Sequence, residues 1–308
     1  MKVFVPPLKC QGIKTKLVEW IHDSVKERLH QHSQQRWIEP YMGSGVVGFN
    51  IRPAVAIFAD INPHIIAFYN AIKHGDITPQ SVRAFLEQEG ATLAKQGQAY
   101  YNAVRARFND SPNSLDFLFL SRASFNGVMR FNRKGHYNVP FGHKPERFAK
   151  SYITKIANQV DYVAKACECY DWTFVCSDFR QTLCEATAHD LIYCDPPYMG
   201  RHVDYFDSWS ECDEADLFKV LCATQAKFVL STWSSTAFRA NAALEKYRTR
   251  FHIHTREHFY HVGANEHNRN AVVEALVTNI SPQQHSSTSP VMSAKSGTTS
   301  EQLVFFPV

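Results

Sequence analysis

No C-x-x-C pair occurs along the 308 residues, and none of the 8 cysteines stands at a spacing from histidine that suits a zinc module. A disulfide framework is equally out of place in a chain of this size, so the expectation is reduced structural thiols. No run approaches the roughly 18 apolar residues that a membrane span needs. The start, Met1-Lys2-Val3-Phe4-Val5-Pro6-Pro7, is broken by proline too early for a secretory signal. No internal repeat is visible. Nor does one sign of charge dominate: 33 Lys+Arg stand against 29 Asp+Glu, a formal net charge of +4. That balance neither demands nor excludes a nucleic-acid partner, because a local basic patch matters more than the total. What remains is 44% hydrophobic residues, ordinary for a globular chain with room for one large domain or two modest ones. The expectation is a cytoplasmic protein.

Apolar spacing predicts a helix over 14–30, a short strand at Arg36-Trp37-Ile38-Glu39, and a helix from about Val46. A second buried strand falls at 54–59, ending at Asp60, and a helix at 61–73. Such strand–helix alternation implies a parallel sheet covered by helices. Residues 76–160 differ, being rich in Arg, Lys, Asn, Phe and Tyr, with a helix expected over 83–108. Between 122 and 150, Arg122, Arg130, Arg133, Lys134, Lys144, Arg147 and Lys150 alternate with Phe125, Phe131, Tyr137, Phe141 and Phe148. That mixture suits phosphate contact with base stacking, and equally a solvated face over ordinary core aromatics. Strands are expected again at 172–176, 191–194 and 227–232, with an antiparallel pair at 252–256 and 272–278. From 281 to 308 the Ser, Thr, Gln and Pro content points to a flexible tail.

Asp195-Pro196-Pro197-Tyr198 directly follows an apolar strand, and the carboxyl end of a parallel strand is where open α/β sheets place ligands. Two prolines stiffen the backbone and remove two N–H donors. The Asp195 carboxylate and the Pro196 carbonyl are then two acceptors suited to one amino group, and Tyr198 offers a face for a ring. Gly43-Ser44-Gly45-Val46-Val47-Gly48 matches G-x-G-x-x-G, with Asp60 ending the next strand to hold ribose hydroxyls. Glu39 and Tyr41, just before the glycines, add an acid and an aromatic. Lys14 near a helix start faces the positive dipole end, which an anion would relieve. Ser177-Asp178-Phe179 closes a further strand as a possible base-contacting pair or as a helix cap with a core Phe. His252 and His254 share a strand face, with His258 and His261 nearby, yet no carboxylate or cysteine spacing supports a metal, and none is expected.

Together these strings resemble the Dam-type family of DNA adenine-N6 methyltransferases. The matching pieces run in order: Leu8-Lys9, Gly12 and Lys14; Glu39-Pro40-Tyr41-Met42-Gly43-Ser44-Gly45; Ala59-Asp60-Ile61-Asn62; Phe125-Asn126-Gly127; Arg130-Phe131-Asn132; Tyr137-Asn138-Val139-Pro140-Phe141-Gly142; Asp178-Phe179; Asp195-Pro196-Pro197-Tyr198; and Glu274-Ala275-Leu276-Val277-Thr278-Asn279. The resemblance implies a Rossmann-like α/β methyltransferase domain formed by 1–75 and 166–280. A mainly helical DNA-recognition insertion at 76–165 would interrupt it. It implies S-adenosylmethionine as cofactor, with Cys10 and Lys14 at its methionine end. Asp60 would hold the ribose, Asp178 and Phe179 the adenine, and Asp195 the cofactor amine region and the target amine. Double-stranded DNA would be the partner, met by Phe125, Asn126 and Arg130, with Tyr137 and Asn138 close to the flipped base. Arg122, Asn132 and Lys134 complete the expected DNA-facing set. Two positions depart from the family pattern: Cys10 stands where Trp is frequent, and Ile13 where Gly is frequent. Ile13 cannot take a left-handed conformation cheaply, so this loop must differ in shape.

The chemistry implied is exacting. The adenine N6 lone pair is delocalised into the ring, so two acceptors on its hydrogens must free it for in-line attack on a sulfonium methyl. A base within a duplex must first be flipped out. Three other readings stand beside this one. An RNA or protein-amide methyltransferase would use the same amino-group logic. A nicotinamide dehydrogenase would use the glycine turn but leave Asp195-Pro196-Pro197-Tyr198 idle. A non-catalytic DNA-binding protein would keep the fold alone. A monomer is expected, either solitary or paired with a cognate restriction endonuclease.

Overall fold

In the computed structural model the strands that emerge from apolar runs assemble into one seven-stranded sheet, in the order β3-β2-β1-β4-β5-β7-β6. They are β1 (Arg36–Glu39), β2 (Val55–Asp60), β3 (Asp171–Cys176), β4 (Leu191–Cys194), β5 (Lys227–Thr236), β6 (His252–Phe259) and β7 (Ala271–Thr278). The helices are α1 (Val18–Leu29), α2 (Val46–Ile51), α3 (Pro63–Lys73), α4 (Pro79–Gln96), α5 (Gln98–Asp110), α6 (Ser114–Ala123), α7 (Lys150–Cys169), α8 (Phe179–Cys184), α9 (Glu211–Ala223) and α10 (Leu244–Arg248). The structure describes residues 2–29, 35–198, 209–236, 239–259 and 271–281. The tail expected over 281–308 lies, beyond its first residue, outside the described residues, as does His261. Among the described residues no helix is long and apolar enough to cross a membrane.

Strands β1 to β5 pair in parallel, while β7 is antiparallel to both β5 and β6. All four residues of β4 are buried, which requires cover on both faces and explains its unbroken apolar sequence. The chain steps from β1 to β2 on one side and returns to β4 on the other. The β1/β4 boundary is therefore the switch point, and a crevice opens beyond the carboxyl ends of these strands.

Aromatic packing fixes α2 and α3 to the β2–β3 side. The Phe49 ring stacks on Trp172 at 5.2 Å between centroids, and Phe58 stacks on Phe174 at 5.5 Å. Asn62 caps α3 by accepting from the His64 amide, and Pro63 opens it. Lys73 then ties its end to the Trp172 carbonyl at 2.6 Å. Between α3 and β3 lies the helical segment α4–α7, which shares one continuous apolar core with the sheet. The single helix expected over 83–108 is two helices. Gly97 separates α4 from α5 with φ +56°, a left-handed value that ends a helix readily only at glycine. Arg107 of α5 forms ion pairs with two buried acids, Asp116 and Glu89, and so joins α4, α5 and α6.

Gly48 marks the closest approach of α2 to the sheet. A Cβ built there would lie 2.1 Å from the Phe58 ring and 2.6 Å from Glu39 Oε2. Gly48→Ala should overpack this contact and destabilise the fold by about 1–3 kcal/mol. Urea unfolding of the two proteins checks it, and an unchanged midpoint would show that the turn has slack.

Candidate active site

Asp195-Pro196-Pro197-Tyr198 leaves β4 at the switch-point crevice. Lys14 comes to meet it from the turn that opens α1. Lys14 Nζ lies 2.9 Å from Asp195 Oδ1 and 4.9 Å from the Tyr198 ring centroid, and donates to the Gly12 carbonyl at 3.3 Å. With 5% of its side chain exposed, Lys14 needs an anion, and Asp195 supplies one. Burial pushes the Asp195 carboxyl above its ordinary range, and the Lys14 charge pulls it back down. The Tyr198 hydroxyl donates to Glu274 Oε2 at 3.1 Å, and Glu274, on β7, is fully buried. Glu274 carried no assigned role in the sequence reading. The available signal was a single acid inside the apolar run from Val272 to Val277.

The glycine turn sits beside this group. Gly43 and Gly45 have φ of +48° and +75°. The Gly43 amide donates to Asp60 Oδ2, and the Asn62 amide to Asp60 Oδ1, each at 2.9 Å. Burial raises the Asp60 carboxyl to about 6, against these two bonds. A Cβ on Gly43 would meet nothing within 4 Å, so open space lies before the turn. Ile61, next to Asp60, leaves 41% of an apolar side chain exposed at the strand end. It too was missed from sequence. Asp178 caps α8 and is paired with Arg180, while the Phe179 ring packs 5.6 Å from Tyr41. The Tyr41 hydroxyl is buried with no hydrogen-bond partner among the described residues.

Two cofactor-side expectations change. Glu39 faces the protein: its Oε2 accepts from Trp37 Nε1 at 2.9 Å and from the Gly48 amide at 3.1 Å, so it braces the glycine turn from behind. At the first loop, Gly12 alone takes the left-handed conformation, with φ +77°, and Ile13 is spared it. Cys10 Sγ turns to Met129 Sδ, 3.8 Å away.

The DNA-facing set divides. Arg122 is buried and donates to the Pro7 carbonyl at 2.6 Å, to Gln159 Oε1 at 2.7 Å, and to the Pro6 carbonyl and the Tyr152 hydroxyl. It is a clamp on the N-terminal segment, not a phosphate contact, because no face of the guanidinium is left for solvent. Tyr137 is likewise core: 1% exposed, its hydroxyl donating to the Val128 carbonyl. Phe131, Phe141 and Phe148 are core as well, so the aromatics of this segment mostly pack rather than stack on bases. Phe125 differs, with 49% exposed beside Asn126, whose φ of +51° is left-handed. Arg130 holds Asn138 through its side-chain and backbone oxygens at 2.8 and 3.0 Å. Asn132 accepts from the amides of Lys134 and His136, shaping an exposed turn.

A sheet of this order, a glycine turn at β1 and a two-proline strand end at β4 define the class: a Rossmann-like methyltransferase. Comparison with known proteins narrows this. The family model for D12 class N6 adenine-specific DNA methyltransferases matches residues 11–262, and the chain belongs to that family. The chain is 33% identical over 197 residues to the DNA adenine methylase of Vibrio cholerae serotype O1, covering 62% of this chain and 64% of that one. It is 31% identical over 224 residues to the retron Ec67 DNA adenine methylase of Escherichia coli, covering 70% and 71%. With the type II methyltransferase M.FokI of Planomicrobium okeanokoites it shares 27% identity over 285 residues, covering 89% of this chain and 42% of the relative. The chain thus spans just under two thirds of the length of the Vibrio relative.

Burial lifts the Glu39 carboxyl from an ordinary 4.5 to about 8. The folded state therefore binds a proton there that the unfolded chain releases. This contribution to stability is complete below about 4.5 and is lost as pH rises through about 8. Unfolding free energy should fall from pH 5 to pH 8, partly through Asp60 as well. Glu39→Gln keeps an acceptor for Trp37 and Gly48 and should flatten the fall. Denaturant unfolding at both pH values checks this, and a variant as pH-sensitive as the parent would refute it.

Proposed function

We propose that this chain transfers a methyl group from S-adenosylmethionine to the exocyclic N6 of a flipped-out adenine in double-stranded DNA, at a defined sequence. The observation that carries the proposal is the buried Lys14–Asp195 pair at the switch point, leading into two prolines and Tyr198, in a chain of this family.

The residues fit the cofactor. The open space before Gly43, the exposed apolar Ile61, the Asp60 carboxylate and the partnerless Tyr41 hydroxyl suit a nucleoside. We assign Gly43, Gly45, Asp60 and Ile61 to the ribose and adenine side with Asp178 and Phe179, and Lys14 to the methionine end. When bound, S-adenosylmethionine supplies an electrophilic methyl on a sulfonium. The protein side of the reaction is to prepare the amine. Burial favours the protonated form of Asp195, and Lys14 opposes it, favouring the ionised, acceptor form. Asp195 and the Pro196 carbonyl accept the N6 hydrogens, and Tyr198 supports the ring. Pro196 is buried and Asp195 only 21% exposed, which strengthens each of these bonds.

We assign 76–165 to DNA recognition, within a catalytic unit of 1–75 and 166–280. Phe125 and Asn126 are exposed and placed to meet bases, Arg130 and Asn138 act as one unit, and Asn132 and Lys134 form the tip. Lys144 and Arg147 crowd Lys9, whose hold on its proton is weakened first by its own burial and then by these neighbouring charges. Phosphate would relieve that crowding. The proposal includes a monomer acting in the cytoplasm, alone or with a cognate restriction endonuclease, since one relative is named a type II methyltransferase.

Labelled methyl from S-adenosylmethionine, incubated with unmethylated genomic DNA, should appear as N6-methyladenine in one sequence context. Label absent from DNA, with cofactor binding intact, would move the substrate to RNA or a protein amide. Asp195→Ala should keep the fold and lower kcat about 1,000-fold or more, roughly 4 kcal/mol. Near-normal turnover in that variant would remove Asp195 from the chemistry.

A further inference from the structure

Glu274 is a fully buried carboxylate within the apolar run from Val272 to Val277 of β7. Burying a carboxylate costs several kcal/mol unless polar partners meet it, so its retention needs a reason. Its partner is the hydroxyl of Tyr198, the last residue of the strand-end motif. Strand β7 brings Glu274 there because it inserts antiparallel between β5 and β6, opposite Trp233, next to the irregularity in register between Trp233 and Ser235. The Tyr198 ring is thus held from two directions. Lys14 lies over it at 4.9 Å, and Glu274 receives its hydroxyl at 3.1 Å. Two prolines fix the backbone just before Tyr198, but they leave χ1 and χ2 of the tyrosine free. A hydrogen bond at the far end of the ring removes that freedom.

We propose that Glu274 is a positioning residue that locks the Tyr198 ring in the plane against which the target adenine rests. The inference rests on the reading that Asp195-Pro196-Pro197-Tyr198 holds that adenine. Glu274 need not touch substrate or cofactor; it acts through the tyrosine. Its role is therefore visible as coupling between two residues. Tyr198→Phe keeps the stacking face and deletes the donor. Glu274→Leu deletes the acceptor. Glu274→Gln keeps an acceptor and deletes the charge.

The test is a steady-state and single-turnover comparison of these variants on methylatable DNA, with affinity for S-adenosylhomocysteine measured by calorimetry. Tyr198→Phe and Glu274→Leu should each lower kcat by about 10- to 100-fold, the range of one lost hydrogen bond to a charged group. Glu274→Gln should stay within about 3-fold of the parent, and the double variant should be no worse than the poorer single by more than about 2-fold. S-adenosylhomocysteine affinity should hold within about 2-fold throughout, whereas a merely structural acid would lose it together with kcat. Additive losses, or full turnover in Tyr198→Phe, would overturn the role. Should Glu274→Leu fail to fold, Tyr198→Phe and Glu274→Gln still decide it. Tyr198→Ala separates the two levels. Intact turnover there sinks the reading of the motif itself. An inactive Tyr198→Ala beside a fully active Tyr198→Phe sinks only the part given to Glu274.

Discussion

Lys14 is buried and Asp195 mostly so, and each offsets the cost of withdrawing the other from water. Desolvating each ion costs several kcal/mol, which a close opposite charge offsets only when the geometry is good. At 2.9 Å the geometry is good, and it depends on the architecture around it. The first turn of α1 must sit over the carboxyl end of β4, β1 must run beside β4, and the strand must stop at Asp195. The buried apolar residues of β1 and β4 meet those conditions. The prolines that follow keep the chain from continuing the ladder. The glycine turn at β1 keeps backbone bulk away from the same crevice. Electrostatics at this pair and packing at the centre of the sheet are one requirement expressed twice.

The helical segment solves a related problem with the same tools. Its buried acids Glu89 and Asp116 are met by the half-exposed Arg107, and its buried Arg122 by carbonyls of the N-terminal segment and by Gln159. These contacts spend charge on rigidity. They leave positions 125–126 and 132–136 exposed on a firm base, with Met129 and Phe131 packed beneath and Tyr137 bound through both backbone groups to the Asn109 side-chain amide. A loop that presents Phe125 and a left-handed Asn126 to solvent holds its shape because what lies beneath it does not move easily.

Much of this was legible in the chain. The short strand at Leu191–Cys194 stood out because burial on both faces leaves an unbroken apolar run, and Arg36–Glu39 because an apolar pair leads directly into the glycine turn. The strand-end motif and Lys14 were visible as well, since charge beside prolines and before a helix is uncommon. The break at Gly97 was not, because amphipathic spacing on either side carries on through a single glycine. Arg122 and Tyr137 were misplaced for a deeper reason: composition tells that an arginine is present, not which way it faces. The hint lay in its surroundings, a run from Phe117 to Leu120 buried all round, in which any polar side chain must turn inward. Glu274 was hidden by distance, because its partner is far away in sequence and nothing local marks it.

That distance has a consequence for how the molecule comes into being. The strand that carries Glu274 is the last to join the described sheet, and it wedges between two others instead of adding to an edge. During synthesis, Lys14 emerges well before β7 and waits while the parallel half assembles around it. Until β7 arrives, β5 presents a bare flank and Tyr198 has no acid to meet. A nascent or truncated polypeptide would hold most of its core yet lack a finished crevice. Arrival of β7 and completion of the site are therefore the same event.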